Sequence, residues 1–272
     1  MMRGYKNPHL LWTPDRLRKA LGDENTLVLD VSPTHEYVAG HVPGAVHLDL
    51  FGLSVNDTRS QALASFFWMM GGLFGSRGVS HDRTVVVYDA DTGVRATRGF
   101  WFLEYFGHED VHVLDGGFGA WANGGHPVSQ DPAPPEGADF KTRPVQERLA
   151  TAETILQVLG REGTAIVDSR SDGEYHGTIV RAARGGAIPG AIHIEWKNNL
   201  EGGAYKEAQA LGALYDSQGV TPEKEVTAYC QGGYRSAHTY LALRLLGYSD
   251  VRNYVGSWAE WGSREELPIE TP

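Results

Sequence analysis

The sequence contains a single cysteine, Cys230, among 272 residues. One thiol excludes an intrachain disulfide framework and a zinc site built from several thiolates. Long apolar runs are also missing: the most apolar one, FFWMMGGLFG (66–75), is far too short to cross a bilayer. Residues 1–17 hold no apolar stretch of the length that a secretory signal peptide needs. We therefore expect a soluble cytoplasmic protein in which reducing conditions keep Cys230 free.

Positive charge is the second scarce property. Lysine and arginine total 24 against 34 aspartate and glutamate residues, which leaves a formal net charge of -10 at pH 7. This balance disfavours binding to nucleic acid and to anionic membranes, and any anionic substrate must be held by a local positive site. The eleven histidines form no group with metal-ligand spacing. We therefore expect no metal and no other cofactor, and we expect a monomer.

A duplication runs through the chain. Five segments of the first half recur in the same order in the second half. The pairs are 10–22 with 148–160, 27–37 with 165–175, 41–49 with 187–195, 74–89 with 215–230 and 106–121 with 246–261. Between the copies, residues 126–144 contain five prolines and no periodic apolar pattern, which is typical of an extended linker. We predict a first domain over residues 1–126, a linker over 127–146 and a second domain over 147–272.

Short β-branched runs alternate with helical patterns in both copies. TVVVY (84–88) and EVTAY (225–229) are typical of buried strands, and the helix after the second has Ala237, Leu241 and Leu245 on one face. Strands and helices in alternation form βαβ units, whose parallel strands are covered on both sides. The predicted fold class is α/β, with two tandem domains, each a small parallel β-sheet flanked by helices on both faces.

The duplication also reveals what is unusual about Cys230. The first copy has Asp89 at the matching position, whereas a packing cysteine would more naturally be matched by a small apolar residue. The position therefore lies in a loop at the carboxyl edge of the sheet, where parallel α/β proteins bind ligands. Gly232 and Gly233 permit a tight turn that points backbone N–H groups inward, and a helix that contains Arg235 follows. These surroundings favour the thiolate, so we predict that Cys230 is a nucleophile.

The stretch CQGGYR (230–235) resembles the active-site loop of rhodaneses, the thiosulfate and 3-mercaptopyruvate sulfurtransferases. The resemblance covers essentially the whole chain and includes the segments VDSRSDGEY (167–175), IPGAIHI (188–194) and GSWAEW (256–261). It implies transfer of sulfane sulfur through a persulfide on Cys230, from a small anionic sulfur donor to a thiophilic acceptor such as cyanide or a thiol. It also implies a catalytically inactive first domain, since tandem members commonly have aspartate in the cysteine position, as at Asp89.

The predicted catalytic residues are Cys230 and Arg235. The predicted substrate-binding residues are the other positions of the loop and one arginine that matches a family residue for the anionic group of the donor: Gln231, Gly232, Gly233, Tyr234, Ser236 and Arg184. The family usually has histidine where this chain has Ala187, which alters the local hydrogen bonding.

Other residues near these positions have mainly structural interpretations. We expect Asp168, Arg170 and Glu174 to form a salt-linked scaffold rather than a proton relay. His238 lies early in the helix after the loop, where a surface or capping role is favoured over contact with the pocket. Trp258 and Trp196 fit either the core or the border of the cleft.

Three alternatives to a thiosulfate sulfurtransferase remain open. The loop is more similar to bacterial rhodaneses than to mercaptopyruvate enzymes, which favours thiosulfate over 3-mercaptopyruvate as the donor. Cysteine phosphatases place five residues between cysteine and arginine, whereas four residues separate Cys230 from Arg235, so the smaller loop favours a terminal sulfur atom over phosphate. A non-catalytic redox or interaction module is the third alternative, and turnover with small sulfur donors separates it from an enzyme.

Overall fold

Each half of the chain forms one five-stranded parallel sheet in the computed structural model, which describes residues 3–272. The first sheet contains β1 (Leu11–Trp12), β2 (Thr26–Asp30), β3 (Val46–His47), β4 (Thr84–Tyr88) and β5 (Val111–Leu114). The second sheet contains β6 (Leu149–Ala150), β7 (Thr164–Asp168), β8 (Ile192–His193), β11 (Glu225–Tyr229) and β12 (Val251–Tyr254). The strand order is β1-β5-β4-β2-β3 in the first sheet and β6-β12-β11-β7-β8 in the second. A separate antiparallel pair joins β9 (Leu200–Glu201) to β10 (Ala204–Tyr205).

Helices pack on the faces of these sheets. The helices of the first half are α1 (Pro14–Ala20), α2 (Thr34–Ala39), α3 (Ser60–Gly75), α4 (Val94–Tyr105) and α5 (Gly117–Asn123). Those of the second half are α6 (Ala152–Val158), α7 (Asp172–Tyr175), α8 (Ala208–Asp216), α9 (Tyr234–Leu246) and α10 (Ser257–Trp261). Short 3-10 turns occupy residues 8–10, 146–148 and 196–199. The two matching strand orders confirm the predicted α/β fold and the duplication.

Local sequence explains why the copies fold alike. The central strands β4 and β11 are buried along four of their five residues, as their apolar runs predict. The helices α1 and α6 both begin at a threonine N-cap, where the side chains of Thr13 and Thr151 accept hydrogen bonds from backbone N–H groups three residues later. None of the helices formed by residues 3–272 combines the length and the apolar character needed to cross a membrane.

The two domains pack against each other through α4 and α9. Buried apolar side chains of both halves join into one core cluster, which includes Phe102 from the first half and Leu241 from the second. No helix or strand forms between Asn123 and Gln146, and this segment runs along the first domain, where Val145 N donates to Tyr105 O at 2.7 Å. This segment contains the residues predicted as a linker. The limits of the domains remain a prediction.

Candidate active site

Cys230 directly follows β11 at the carboxyl edge of the second sheet, and only 1 % of its surface is exposed. The chain then turns through residues 231–233 into α9, and Gly233 N donates to Cys230 Sγ at 3.2 Å. Backbone N–H groups of Gly232 and of Ser236, in the first turn of α9, also interact with the sulfur and favour its thiolate. The loop predicted from the two glycines therefore forms a cradle of backbone amides around the thiol.

Gly233 is the position where this loop needs glycine. Its φ of 84° lies in the left-handed region, and a Cβ atom would come within 2.6 Å of Arg98 Nη1 and 3.0 Å of Val255 O. Gly233→Ala should therefore lower the free energy of unfolding by about 1–3 kcal/mol and distort the loop. The matched control is Gly232→Ala, since a Cβ at Gly232 meets only Ser54 Oγ at 3.6 Å. Thermal unfolding of both variants tests this, and equal losses would contradict it.

Opposing effects act on the Cys230 thiol. Burial raises its pKa, but the positive charge of Arg235 and hydrogen bonds to the sulfur outweigh burial, and the net pKa lies below the ordinary value. The Ser236 hydroxyl lies 3.5 Å from Sγ and 2.6 Å from Asn253 Oδ1. Its single hydrogen goes to the closer oxygen, so we attribute the lowered pKa to Arg235 and the amides.

Arg235 is fixed by a buried carboxylate. Its Nη1 lies 2.6 Å from Glu174 Oε2 and its Nη2 lies 2.9 Å from Glu174 Oε1, an arrangement that holds the guanidinium in one plane. Burial raises the pKa of Glu174, but the bonds to Arg235 outweigh it and bring the pKa to about 2. Glu174 belongs to the expected scaffold, as do Asp168 and Arg170, which form a wholly buried ion pair. Glu174 thus positions the charge that faces the sulfur.

Two polar residues that the sequence did not single out complete the support of the loop. Ser257 Oγ accepts a hydrogen bond from Cys230 N at 3.1 Å and donates to Tyr254 O at 2.6 Å. Ser257 has a φ of 50°, the one positive φ among non-glycine residues of the described chain. Asn253 accepts from Ser236 and donates to Gly233 O at 3.3 Å. The sequence signal for Ser257 was its place in the segment GSWAEW.

A cavity of about 430 Å³ opens next to the sulfur, at the junction of the two domains. We call it the Cys230 cavity, and it is lined by Phe51, Gly52, Ser54, Val94, Arg95, Arg181, Cys230, Gln231, Gly232, Tyr234 and Arg235. Three arginines line it, and none of the described residues in its wall carries a carboxylate. Behind the wall, Glu174 pairs with Arg235 and, at 3.4 Å, with Arg181. Its one negative charge offsets part of the three positive charges, so the local field stays positive although the chain as a whole carries a formal charge of -10.

Arg184 does not reach this cavity, contrary to the expectation from the sequence. Its guanidinium donates to the backbone carbonyls of Gly262 at 3.3 Å, Leu267 at 3.1 Å and Trp261 at 3.1 Å, and it also bonds Arg264 O. These carbonyls lie at the end of α10 and in the segment after it, so the side chain fixes the C-terminal segment instead of a ligand. Arg181, three residues earlier, lines the cavity in its place.

Residues of the first domain fix Gly232 and Tyr234 of the reactive loop in place. Arg98 from α4 is fully buried, and its guanidinium donates to Gly232 O at 2.8 Å and to Leu53 O at 2.9 Å. The same group lies 3.9 Å from the centre of the Tyr234 ring, whose hydroxyl donates to Leu50 O at 2.6 Å. The predicted binding residues Gly232 and Tyr234 are thus fixed by contacts across the domain junction.

The expected place of His238 was wrong. The side chain is completely buried at the domain junction, where its Nε2 lies 3.1 Å from Thr92 O and its ring stacks on Tyr205. Burial lowers its pKa to about 3, so the ring is neutral.

The two tryptophans proposed near the cleft lie in different places. Trp258 is a core residue, packed against Arg170. Trp196 borders a smaller cavity beside Asp89.

Asp89 occupies the position in the first domain that Cys230 has in the second. Its carboxylate accepts hydrogen bonds from the backbone N–H groups of Gly93 at 3.0 Å, Arg95 at 3.1 Å and Ala96 at 3.1 Å. Burial raises the pKa of Asp89 to about 7 although these amide bonds act against the rise. Both loops therefore direct backbone N–H groups at the side chain that follows the central strand, which is a carboxyl group in the first domain and a thiol in the second.

Fold and site together define a class: a tandem α/β protein with a buried cysteine sulfur held among backbone amides at a sheet edge. The family model of the rhodanese-like domain matches residues 13–124 and residues 151–264. The chain is 34 % identical to thiosulfate sulfurtransferase of Pseudomonas aeruginosa, over 96 % of this chain and 97 % of the relative. It is 35 % identical to sulfur carrier protein TtuD of Thermus thermophilus, over 98 % of each chain. The chain belongs to the rhodanese family.

Similarity to solved structures bears on the fold. The anaerobic ergothioneine biosynthesis enzyme from Chlorobium limicola superposes with a TM-score of 0.88 at 23 % identity. The match covers 98 % of this chain and 71 % of that one. The arrangement of the two domains therefore recurs in a protein of low sequence identity.

Proposed function

We propose that this protein is a sulfurtransferase that moves sulfane sulfur from thiosulfate to cyanide or a thiol through a persulfide on Cys230. In the first half-reaction the thiolate of Cys230 attacks the outer sulfur of thiosulfate. A bond forms between Sγ and that sulfur, the sulfur–sulfur bond of thiosulfate breaks, and its electron pair leaves with sulfite. No external oxidant or reductant is needed.

The second half-reaction returns the enzyme to its thiolate. The acceptor attacks the outer sulfur of the persulfide, and the bond between that sulfur and Cys230 Sγ breaks with its electron pair remaining on Sγ. Cyanide leaves as thiocyanate, and a thiol leaves as a new persulfide. In the persulfide form the negative outer sulfur extends toward the positive side of the cavity, where Arg235 and the loop amides stabilise it.

One observation carries this proposal: the sulfur of Cys230 lies in an amide cradle with a lowered pKa and faces a cavity lined by three arginines. Such a site suits a donor with two negative charges and a leaving group that is itself an anion. Curated relatives named thiosulfate sulfurtransferase at 33–34 % identity support the choice of donor.

Steady-state kinetics with thiosulfate and 3-mercaptopyruvate side by side test the donor. We expect kcat/KM to favour thiosulfate, because its two charges match the arginines of the Cys230 cavity better than the single carboxylate of mercaptopyruvate. Sulfite release identifies the thiosulfate reaction, and pyruvate release identifies the other. A kcat/KM that favours mercaptopyruvate by about tenfold would replace thiosulfate as the donor.

Arg181, rather than Arg184, is our candidate for binding the anionic end of the donor. Arg181→Ala should raise the KM for thiosulfate about tenfold with little change in thermal stability, since a charged hydrogen bond contributes about 1.5–3 kcal/mol. Arg184→Ala should behave in the opposite way, because it leaves several backbone carbonyls without donors and so lowers stability. The KM for thiosulfate and the melting temperature, each measured for both variants, test these two effects. A large KM effect in a stable Arg184→Ala variant would return the binding role to Arg184.

Several features of this proposal come from the sequence, and the structure supplies a supporting observation for one of them. They are the inactive role of the first domain, the limits of the domains, the monomeric state and the cytoplasmic location. The first loop supports the inactive role, because the N–H groups of Gly93 and Ala96 already donate to the Asp89 carboxyl group and are not available to a persulfide.

A further inference from the structure

Arg95 is an arginine of the first domain that reaches the active site of the second. It is the second residue of α4, as Arg235 is the second residue of α9. Arg235 is held by Glu174, but among residues 3–272 no ion pair joins Arg95 to Glu36, which the duplication matches with Glu174. Arg95 lies between the smaller cavity beside Asp89, which Glu36 also lines, and the Cys230 cavity. Its guanidinium lies 4.7 Å from the centre of the Phe51 ring, on the side of the Cys230 cavity.

Within the described chain, Arg95 Nη1 is buried and has no hydrogen-bond partner. Stacking on Phe51 orients the guanidinium but leaves its N–H groups free, because the ring interacts with the face of the group. A buried donor without a partner is energetically unfavourable, and such groups in native proteins call for an explanation. A ligand that accepts this hydrogen bond would provide one.

Gln231 contributes a second unsatisfied atom to the same cavity. Its Nε2 donates to Arg181 O at 3.0 Å, which fixes the orientation of the amide because only the nitrogen can donate to a carbonyl. The Oε1 atom is buried and has no partner within residues 3–272. These two atoms, one cationic donor and one acceptor, belong to residues that line the Cys230 cavity.

The Cys230 cavity is larger than thiosulfate needs. Thiosulfate has few heavy atoms, and Arg181 and Arg235 already suit its charge, whereas the cavity measures about 430 Å³. The part near Arg95 also includes the aromatic ring of Phe51 and the side chain of Val94. A molecule that fills this part needs an anionic group for Arg95, an N–H or O–H group for Gln231 and an apolar link between them.

We infer that Arg95 and Gln231 form a subsite for the acceptor, and that this acceptor is a small thiol with a carboxylate and an N–H group. The inference rests on the proposed function and specifies its second half-reaction. The thiolate of the acceptor attacks the outer sulfur of the persulfide, a bond forms between these sulfurs, and the bond to Cys230 Sγ breaks with its electron pair on Sγ. Arg95 pairs with the carboxylate of the acceptor while this occurs.

The kinetic test uses protein first loaded with sulfur by thiosulfate. N-acetylcysteine carries the thiol, the N–H group and the carboxylate, and N-acetylcysteine amide differs only in having a neutral amide in place of the carboxylate. For Arg95→Gln, the ratio of the acceptor rate constants, acid over amide, should fall about tenfold relative to the parent. The matched control Arg18→Gln removes the same charge from an exposed position on α1 and should leave the ratio unchanged.

The role of Gln231 is tested with 3-mercaptopropionate, which has the carboxylate and thiol but no N–H group. Gln231→Leu should weaken N-acetylcysteine relative to 3-mercaptopropionate by several-fold, since only the first can donate to Oε1. Equal effects on both thiols would remove Gln231 from the subsite.

A binding experiment separates this inference from the proposed function. The S-methyl derivative of N-acetylcysteine cannot react, and calorimetric titration of the Cys230→Ser protein measures its affinity. Arg95→Gln in that background should weaken binding about tenfold. If thiosulfate places no sulfur on Cys230 of the parent, the proposed function fails, but the titration still decides the subsite. Equal affinity with and without Arg95 overturns the subsite, as does an unchanged acid-to-amide ratio.

Discussion

Cys230→Ser should eliminate sulfur transfer, with activity reduced about a thousandfold or more. A serine hydroxyl does not ionise at neutral pH and forms no stable bond to sulfane sulfur, so neither half-reaction is available to it. Mass spectrometry of the parent after thiosulfate should show one additional sulfur atom on the peptide that contains Cys230. The serine variant should show none anywhere in the chain.

The same variant tests the first domain. Its Asp89 loop is untouched by Cys230→Ser, so any remaining transfer would have to come from elsewhere in the protein. The serine variant should keep the melting temperature of the parent, because the exchanged side chain is small and its backbone bond to Ser257 remains. Sulfur found on another residue, or undiminished turnover in the folded serine variant, would falsify the persulfide mechanism.

Arg235→Ala should lower kcat/KM by about one to two orders of magnitude, which is the contribution of a charged hydrogen bond in a site of this kind. The arginine also lowers the pKa of the Cys230 thiol against the effect of burial, so its loss should raise that pKa. Thiolate reactivity falls as the pH drops through the thiol pKa. The midpoint of iodoacetamide alkylation should therefore move to higher pH in the variant.

Stability must be separated from chemistry in this experiment. Arg235→Ala leaves Glu174 buried without its main partner, and breaking a buried pair costs about 3–5 kcal/mol. The double variant Arg235→Met with Glu174→Gln removes both charges, so it should recover stability but not the low thiol pKa. Arg235→Lys should restore the pKa in part, because a point charge lacks the planar fork that Glu174 binds. An alkylation midpoint that stays at the parent value in both the alanine and double variants would remove Arg235 from the site.

The loop around Cys230 could be predicted from the sequence because its determinants are local. A strand, two glycines and a helix start within a few residues of one another, and the duplication supplied Asp89 as a comparison. The choice between Arg181 and Arg184 could not be made in this way. Both lie in the segment 176–191, which forms neither helix nor strand, so no periodicity indicates which side chain faces the cavity.

The contacts across the domain junction were also beyond sequence reasoning. The ring of His238 is buried against Trp196 and Tyr205, and its Nε2 contacts Thr92 O in the loop before α4 of the other domain. No local pattern in the sequence reveals these contacts, so the surface or cap position predicted for His238 is wrong. Arg98 was one indication of a contact between the domains. It lies in α4 among the buried residues Thr97, Gly99 and Phe100. A charged residue on the buried face of a helix requires partners, and here they are the carbonyls of Leu53 and Gly232.

Arg98 has a consequence for the history of the protein. The guanidinium that fixes the reactive loop belongs to the domain without a cysteine, so the working site is encoded by both copies of the ancestral gene. Because the reactive loop of the second copy depends on this arginine, deletion of the first copy would remove the donor to Gly232 O. Selection for catalysis at Cys230 therefore also acts on residues of the first half.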